Sequence, residues 1–327
     1  GTWVVLVTSG YNNVSPGDGQ GYLYVLNAGT GAKVGTPIGT GVGSTSTPSG
    51  LAQIRTWVAN SMYDNTALRV YGGDLLGNLW RFDIDDNIAP AGNEAQVLAT
   101  VHGSTGLVQP IMAKPELGDV SGVAVVYFGT GRYLGVSDLS DNSPQTLYAI
   151  KDNLGTTSFG NPRASTHFIQ QTLTATTCPT GSSSSICTAG QTVRTSTSLA
   201  VSFATDYGWY VDLLDTGERA TTDPQLQLGT LGYTTDVLDA NACTVGGYSY
   251  QYFFDYRTGA AVSTSTTGVV GSWLGSALAT RPVYVRLPNN QVVSIVRLSD
   301  GSTVIPAVPI GSSATSTRRL SWRELRN

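Results

Sequence analysis

An all-β fold, and within that class a β-propeller, is what the sequence predicts, on three observations. Short β-rich runs end at Gly or at Asn/Asp turns along almost the whole chain, and hardly any segment keeps an apolar face at helical spacing for three turns. Several of these runs recur as a pair, an apolar strand ending in Gly followed by a turn and a strand ending in an aromatic, an aliphatic and often Asp or Asn. The composition agrees: 327 residues with 39 Gly, 12% charged and 40% hydrophobic, while Ser and Thr fill roughly a fifth of the chain, the place Lys and Glu hold in helical proteins.

The first strand pair is Trp3 to Gly10 with Gly21 to Asn27, and the second is Arg69 to Asp74 with Gly77 to Asp83. The third, Val125 to Gly131 with Gln145 to Ile150, has a longer connecting loop, Arg132 to Pro144, of the kind that maps to one face of a repeat fold. A diverged copy joins Leu231–Val237 to Tyr248–Asp255, and its following Tyr256-Arg257-Thr258-Gly259 echoes the turn Ala28-Gly29-Thr30-Gly31. Gly208–Leu213 is a further strand of the second type, and Pro282–Arg286 with Val292–Arg297 forms a closing hairpin around Asn289-Asn290. The segments 39–50, 174–195 and 264–268 read as Ser/Thr/Gly loops rather than linkers. Five to six sheet units result, at a spacing of roughly 50 to 70 residues, in a single domain over 1–327. A sandwich is the alternative, but sandwiches do not usually repeat a turn-matched pair four times.

Charge narrows the partners. Eighteen basic and 22 acidic residues, a net charge of −4 and no Lys/Arg run leave no footprint for a phosphate backbone. No apolar stretch is long enough to cross a bilayer as a helix. The chain opens directly into its first strand, so it reads as a fragment of a longer parent protein whose targeting sequence lies upstream. Cys178 and Cys187 bracket a Gly/Ser-rich insert without nearby metal-ligand partners, which predicts a loop-closing disulfide and an oxidising compartment. Cys243 is left over, either paired with a part of the parent chain outside these residues or buried as a small apolar residue.

Catalysis by proton transfer or nucleophilic attack needs titratable groups brought together, and the chain has two His, His102 and His167, both in polar surroundings without a local motif. They read as surface residues, and no enzyme activity and no cofactor are expected. Three acidic loops carry enough oxygen donors to compare with Ca²⁺ sites: Asp83-Ile84-Asp85-Asp86-Asn87, Asp138-Leu139-Ser140-Asp141-Asn142, and Asn60-Ser61-Met62-Tyr63-Asp64-Asn65. None has the alternating acidic series closed by Glu that defines an EF-hand loop, so each reads as a solvated turn.

These same residues carry a resemblance. Trp3-Val4-Val5 with Ser9-Gly10-Tyr11-Asn12, the run Val70 to Asp83, Gln109-Pro110-Ile111, Pro115-Glu116-Leu117 and Phe128 to Gly135 resemble the C-terminal propeller of the PilC/PilY-type proteins of type IV pili. Gly208–Leu213, Gly217-Glu218-Arg219 and the closing Arg318-Arg319-Leu320-Ser321-Trp322-Arg323-Glu324-Leu325 extend it over nearly the whole chain. Family propellers begin earlier, so the resemblance implies one or two blades upstream of Gly1.

The resemblance further implies a protein of the pilus tip or outer cell surface, exported through the periplasm. Such a protein binds minor pilins, promotes assembly, counters retraction and contacts host or abiotic surfaces. Some members bind calcium in the loop before the strand matching Arg69 to Asp74; here only Asn60, Asp64 and Asn65 offer oxygens, and Leu68 stands where a closing Asp would be, so calcium is disfavoured. No Arg-Gly-Asp tripeptide occurs, and integrin binding is not carried over. Two rival readings are a quinoprotein-like oxidoreductase, against which stands the lack of an adjacent Cys-Cys pair, and a polysaccharide-binding envelope scaffold, suggested by 16 Tyr and 6 Trp. For those aromatics, packing between strands is the simpler account. The loops 132–144 and 174–195 are the expected contact surfaces.

Overall fold

The computed structural model describes residues 1–60, 63–178, 186–239, 246–265 and 268–311. Cys243, the insert 179–185 and the closing motif 318–325 lie outside the described residues. Within them the chain forms five sheets, the lower bound of the expected five to six units. The first holds β1 (Val4–Thr8), β2 (Tyr22–Asn27) and β3 (Ile38–Gly39), and the second β4 (Ile54–Asn60), β5 (Asp64–Gly73), β6 (Asn78–Asp83) and β7 (Ala95–Thr100), all antiparallel neighbours.

The third sheet begins with β8 (Glu116–Val120), β9 (Val123–Gly129) and β10 (Thr146–Lys151). After β11 (Phe168–Gln171) the chain leaves it for the hairpin β12 (Leu173–Thr177) and β13 (Thr192–Ser196), then returns with β14 (Gly208–Asp212). The order in the third sheet is β11-β14-β10-β9-β8, with β11 parallel to β14. The fourth contains β15 (Glu218–Arg219), β16 (Gln225–Gln227), β17 (Thr230–Leu238), β18 (Gly247–Asp255) and β19 (Val269–Gly275), and the β12–β13 hairpin joins it through β13 beside β19. The last sheet is β20 (Val283–Arg286), β21 (Val292–Arg297) and β22 (Thr303–Val304), its first two strands being the expected hairpin.

Strand periodicity explains how the sheets stack. Side chains alternate between the two faces of a strand. In β9, Val125 and Tyr127 enter one core with Trp209, Tyr233 and Phe254, while Val126 and Phe128 enter another with Tyr71, Leu79 and Leu98. Val70 and Tyr71 of β5 divide in the same way, Val70 packing with Leu23, Ile38 and Leu51 near the first sheet. In β18, Tyr252 and Phe254 face the third sheet, whereas Phe253 packs with Val292 of the last sheet and with Val308 beyond its final strand. Central sheets are thus buried on both faces against their neighbours, the packing that defines propeller blades. Ionic contacts tie the starts of the sheets together: Arg55 of β4 meets Glu116 of β8 at 2.9 Å, and Asp223, just before β16, meets Lys114 at 3.3 Å and Arg281, just before β20, at 3.6 Å.

One expectation is corrected. Segment 174–195 is not simply a loop, because both of its ends are strands. Thr is β-branched and suits a pleated surface as well as a turn, so Thr174, Thr176, Thr177, Thr192 and Thr195 build the pair, and fully buried Val193 anchors it in the core. The expected Cys178–Cys187 disulfide forms, and it lies in the connection between the two strands, directly after β12. Gly208–Asp212 is a strand as expected, and it lies within the third sheet between β10 and β11, with Trp209 opposite Ala149.

Candidate binding surfaces

The motif richest in resemblance, Gly73 to Asp83, turns out to be structural. The chain reverses at Asp74-Leu75-Leu76-Gly77, where Gly77 takes a φ of +77° that a side chain would strain. Buried Asp74 holds the turn: its carboxylate accepts from the amides of Leu76 (3.0 Å) and Asn78 (2.9 Å), from the Asn78 side chain, from Trp80 Nε1 (2.8 Å) and from Ser49 Oγ (3.3 Å). Burial raises its pKa despite these donors. Arg81 and Asp152, both with fully buried side chains, form an ion pair at 2.8 Å that links the second sheet to the third. Asp152 also accepts from Tyr71 Oη at 2.7 Å.

The acidic loops fold mostly onto their own backbone. Asp83 accepts from the amides of Asp86 (3.1 Å) and Ile88 (2.9 Å), and Asp86 from that of Gly92 (2.7 Å). At the mouth of the β4–β5 hairpin, Asn60 lies opposite Asp64, and exposed Asp64 accepts from the amide (2.8 Å) and hydroxyl (2.5 Å) of Thr66, which lowers its pKa. Asn65 is exposed beside it, and Leu68 packs against the core rather than facing a ligand. Among the described residues no three His, Cys, Asp or Glu side chains converge as metal ligands. Half-buried His102 directs Nδ1 at the Thr100 carbonyl (3.1 Å), and exposed His167 lies against the Tyr207 ring at 4.8 Å, so the two histidines serve separate local contacts.

The Arg132 to Pro144 loop presents a surface. Its anchor is Asp138, only 2% exposed, whose carboxylate accepts from Arg132 Nε and the Leu134 amide, both at 2.7 Å, and from the Gly135 amide at 3.2 Å. Partial burial pushes its pKa up, but the Leu134 amide and Arg132 guanidinium outweigh that and hold it below the usual carboxylate range. From below, Arg219 donates to the carbonyls of Arg132 and Asp138 at 2.8 Å and to that of Asp141. The loop so fixed exposes Tyr133, Leu134 and Val136, the last at 83%. Hydrogen bonds from Gln109 to the Pro144 carbonyl and from the Gly131 amide to the Pro110 carbonyl, both 2.8 Å, tie it to the preceding loop, which exposes Leu107 and Val108.

A second cluster was not foreseen from sequence. Arg194 of β13, 1% exposed, pairs with Glu218 at 2.5 Å and Asp215 at 2.8 Å, and its guanidinium lies 3.7 Å from the Tyr250 ring centroid. Glu218 also accepts from Tyr252 Oη (2.8 Å) and Thr235 Oγ1 (2.6 Å). Nearby Asp236 accepts from the Ala279 amide at 2.7 Å, and burial raises its pKa to about 7. The available signal was an Arg within a Thr-rich strand and the Gly217-Glu218-Arg219 landmark.

Successive sheets buried on both faces and sharing cores with their neighbours define a β-propeller. The family profile described as PilY1 beta-propeller domain matches residues 1–185, and the chain belongs to that family. A Type IV pilus biogenesis factor PilY1 homolog of Xylella fastidiosa is 30% identical over 99% of this chain, and the Type IV pilus biogenesis factor PilY1 of Pseudomonas aeruginosa is 27% identical over 80% of it. The matched region is 25% of each relative's length. The crystal structure of the Pseudomonas aeruginosa PilY1 C-terminal domain superposes with a TM-score of 0.70 and 21% identity, covering 93% of this chain and 69% of that one. That likeness bears on the fold.

Proposed function

We propose that this propeller works in type IV pilus biogenesis as part of a factor at the pilus tip or outer cell surface, promoting assembly, countering retraction and mediating surface adhesion. Membership of the PilY1 propeller family supports the pilus role. The single observation that carries the choice of surface is the loop 132–144, which exposes Tyr133, Leu134 and Val136 on a backbone clamped by Asp138 and Arg219. Apolar side chains held without freedom to collapse favour a protein partner, since little ordering entropy remains to be lost on binding. Minor pilins are the partners proposed for it, with host or abiotic surfaces as secondary contacts. The Cys178–Cys187 disulfide supports export through the periplasm.

The test is to delete the coding segment in the native host and count surface pili with and without the retraction motor. Pili lost in the first strain and restored in the second support a role in assembly against retraction. Unchanged pilus numbers and unchanged twitching would sink the proposal.

A further inference from the structure

The fourth sheet carries a second surface that is independent of the pilus reading. Tyr250 of β18 and Trp273 of β19 are directly opposed across the strand pair, and Tyr248, two residues from Tyr250, shares its face. With Thr192 and Ser276 these side chains line a shallow, solvent-open groove of about 430 Å³. Its floor is the outer end of an aromatic ladder, Tyr248–Tyr250–Tyr252–Phe254, whose successive ring centroids lie 6.1, 6.3 and 5.6 Å apart. The inner rings are buried, and the outer end reaches solvent at Tyr248 and at Trp273, which is 37% exposed.

Beside the groove, behind the Tyr248 hydroxyl rather than in the lining itself, stands Asp215. Its Oδ1 is fixed by Arg194 Nη2 at 2.8 Å and its Oδ2 by the Tyr248 hydroxyl at 3.1 Å, while the side chain stays 29% exposed. Each carboxylate oxygen has a further lone pair to offer. Thr192 and Ser276, both exposed, add hydroxyls. An exposed indole, a carboxylate already held in one orientation and flanking hydroxyls match a pyranose, which has an apolar C–H face and a rim of hydroxyl donors.

Charge selects among sugars. Arg194, the cation of the cluster, is 1% exposed and engaged by Glu218 and Asp215, so the charge that reaches solvent beside the groove from that cluster is the Asp215 carboxylate. An anionic sugar would meet like charge. We propose that the groove of Tyr248, Tyr250 and Trp273 binds a neutral saccharide, one ring laid on the Trp273 indole and its hydroxyls donating to Asp215.

Isothermal titration of the protein with cellohexaose, maltohexaose, chitohexaose, mannohexaose and hexagalacturonate tests this. At least one neutral hexasaccharide binds, in preference to the galacturonate. Trp273→Ala weakens that binding about tenfold or more, Asp215→Asn weakens it about threefold or more, Trp273→Phe keeps part of it, and Trp3→Ala binds as the parent does. Thermal midpoints matched to the parent separate lost contacts from lost fold, and Trp273→Phe with Asp215→Asn decides the matter where Trp273→Ala does not fold. No neutral sugar bound at about 10 mM, stronger binding of the galacturonate, or parent-like binding by folded Trp273 and Asp215 variants overturns the proposal.

Discussion

Single residues here act mainly by ordering buried polarity. Arg81 and Asp152 lie between two sheets with no exposed side-chain surface, so removing one leaves a desolvated charge without its partner. Asp152→Ala is expected to lower unfolding free energy by about 3–5 kcal/mol, measured by urea denaturation. Asp236 works through protons. Its folded pKa of about 7 lies above the ordinary Asp value of 3.8 because burial, seconded by Glu218, disfavours the anion. The folded state therefore binds the proton more tightly than the unfolded chain does. The corresponding stability is full below the unfolded pKa and is lost as pH rises through about 7. Asn at this position keeps an acceptor for the Ala279 amide, so Asp236→Asn should flatten the stability profile between about pH 4 and 7 and leave the variant more stable than the parent at pH 8, by a margin on the order of 2 kcal/mol. Chemical melts across that range check both the slope and the sign.

Among the elements, the β12–β13 hairpin depends most on a covalent tie. Its strands are rich in Thr, several of them exposed, and Leu173 and Val193 are the apolar side chains it sinks into the core. The disulfide closes a short loop with a sequence separation of 9, for which chain-entropy reasoning gives about 2–3 kcal/mol. Replacing both Cys178 and Cys187 by Ser should cost up to that amount and make the hairpin amides exchange with solvent before those of β17 and β18, as hydrogen exchange would show. The loop 132–144 is stabilised differently, by the Asp138 carboxylate and the Arg219 guanidinium. Leu134 and Val136 point outward from this clamp. Replacing both by Asp should leave the thermal midpoint within a few degrees of the parent, because exposed positions contribute about 0.5 kcal/mol or less, while reducing surface pili if the loop is the partner-binding face.

For the whole molecule, sheets buried on both faces leave a strong trace in sequence, since every core strand must be apolar or aromatic at consecutive positions and must stop at a sharp turn. Val125 to Gly129 and Gly77 to Asp83 were readable for that reason. The loop 132–144 was readable as an insertion between two well-marked strands. The hairpin was not, because Thr serves turn and strand equally and its pairing partner, β19, lies about 75 residues further on. The saccharide groove was hidden more deeply: Thr192, the Tyr248–Tyr250 pair and Trp273 come from three separated segments and the adjoining Asp215 from a fourth, and its aromatics look like core residues until their exposure is known. Asp74 shows the converse case. A conspicuous acid in a Gly-rich turn is spent on its own turn, the strand that follows it and Ser49.

The route of the chain between the third and fourth sheets has a mechanical meaning. It passes from β11 to β12, back from β13 to β14, and forward again to β15. Three covalent crossings therefore span one seam, and a tension drawing the two sheets apart is shared among them, with β11 held lengthwise against its parallel neighbour β14. Under such a load the pair should yield together, releasing its length of chain in one large step.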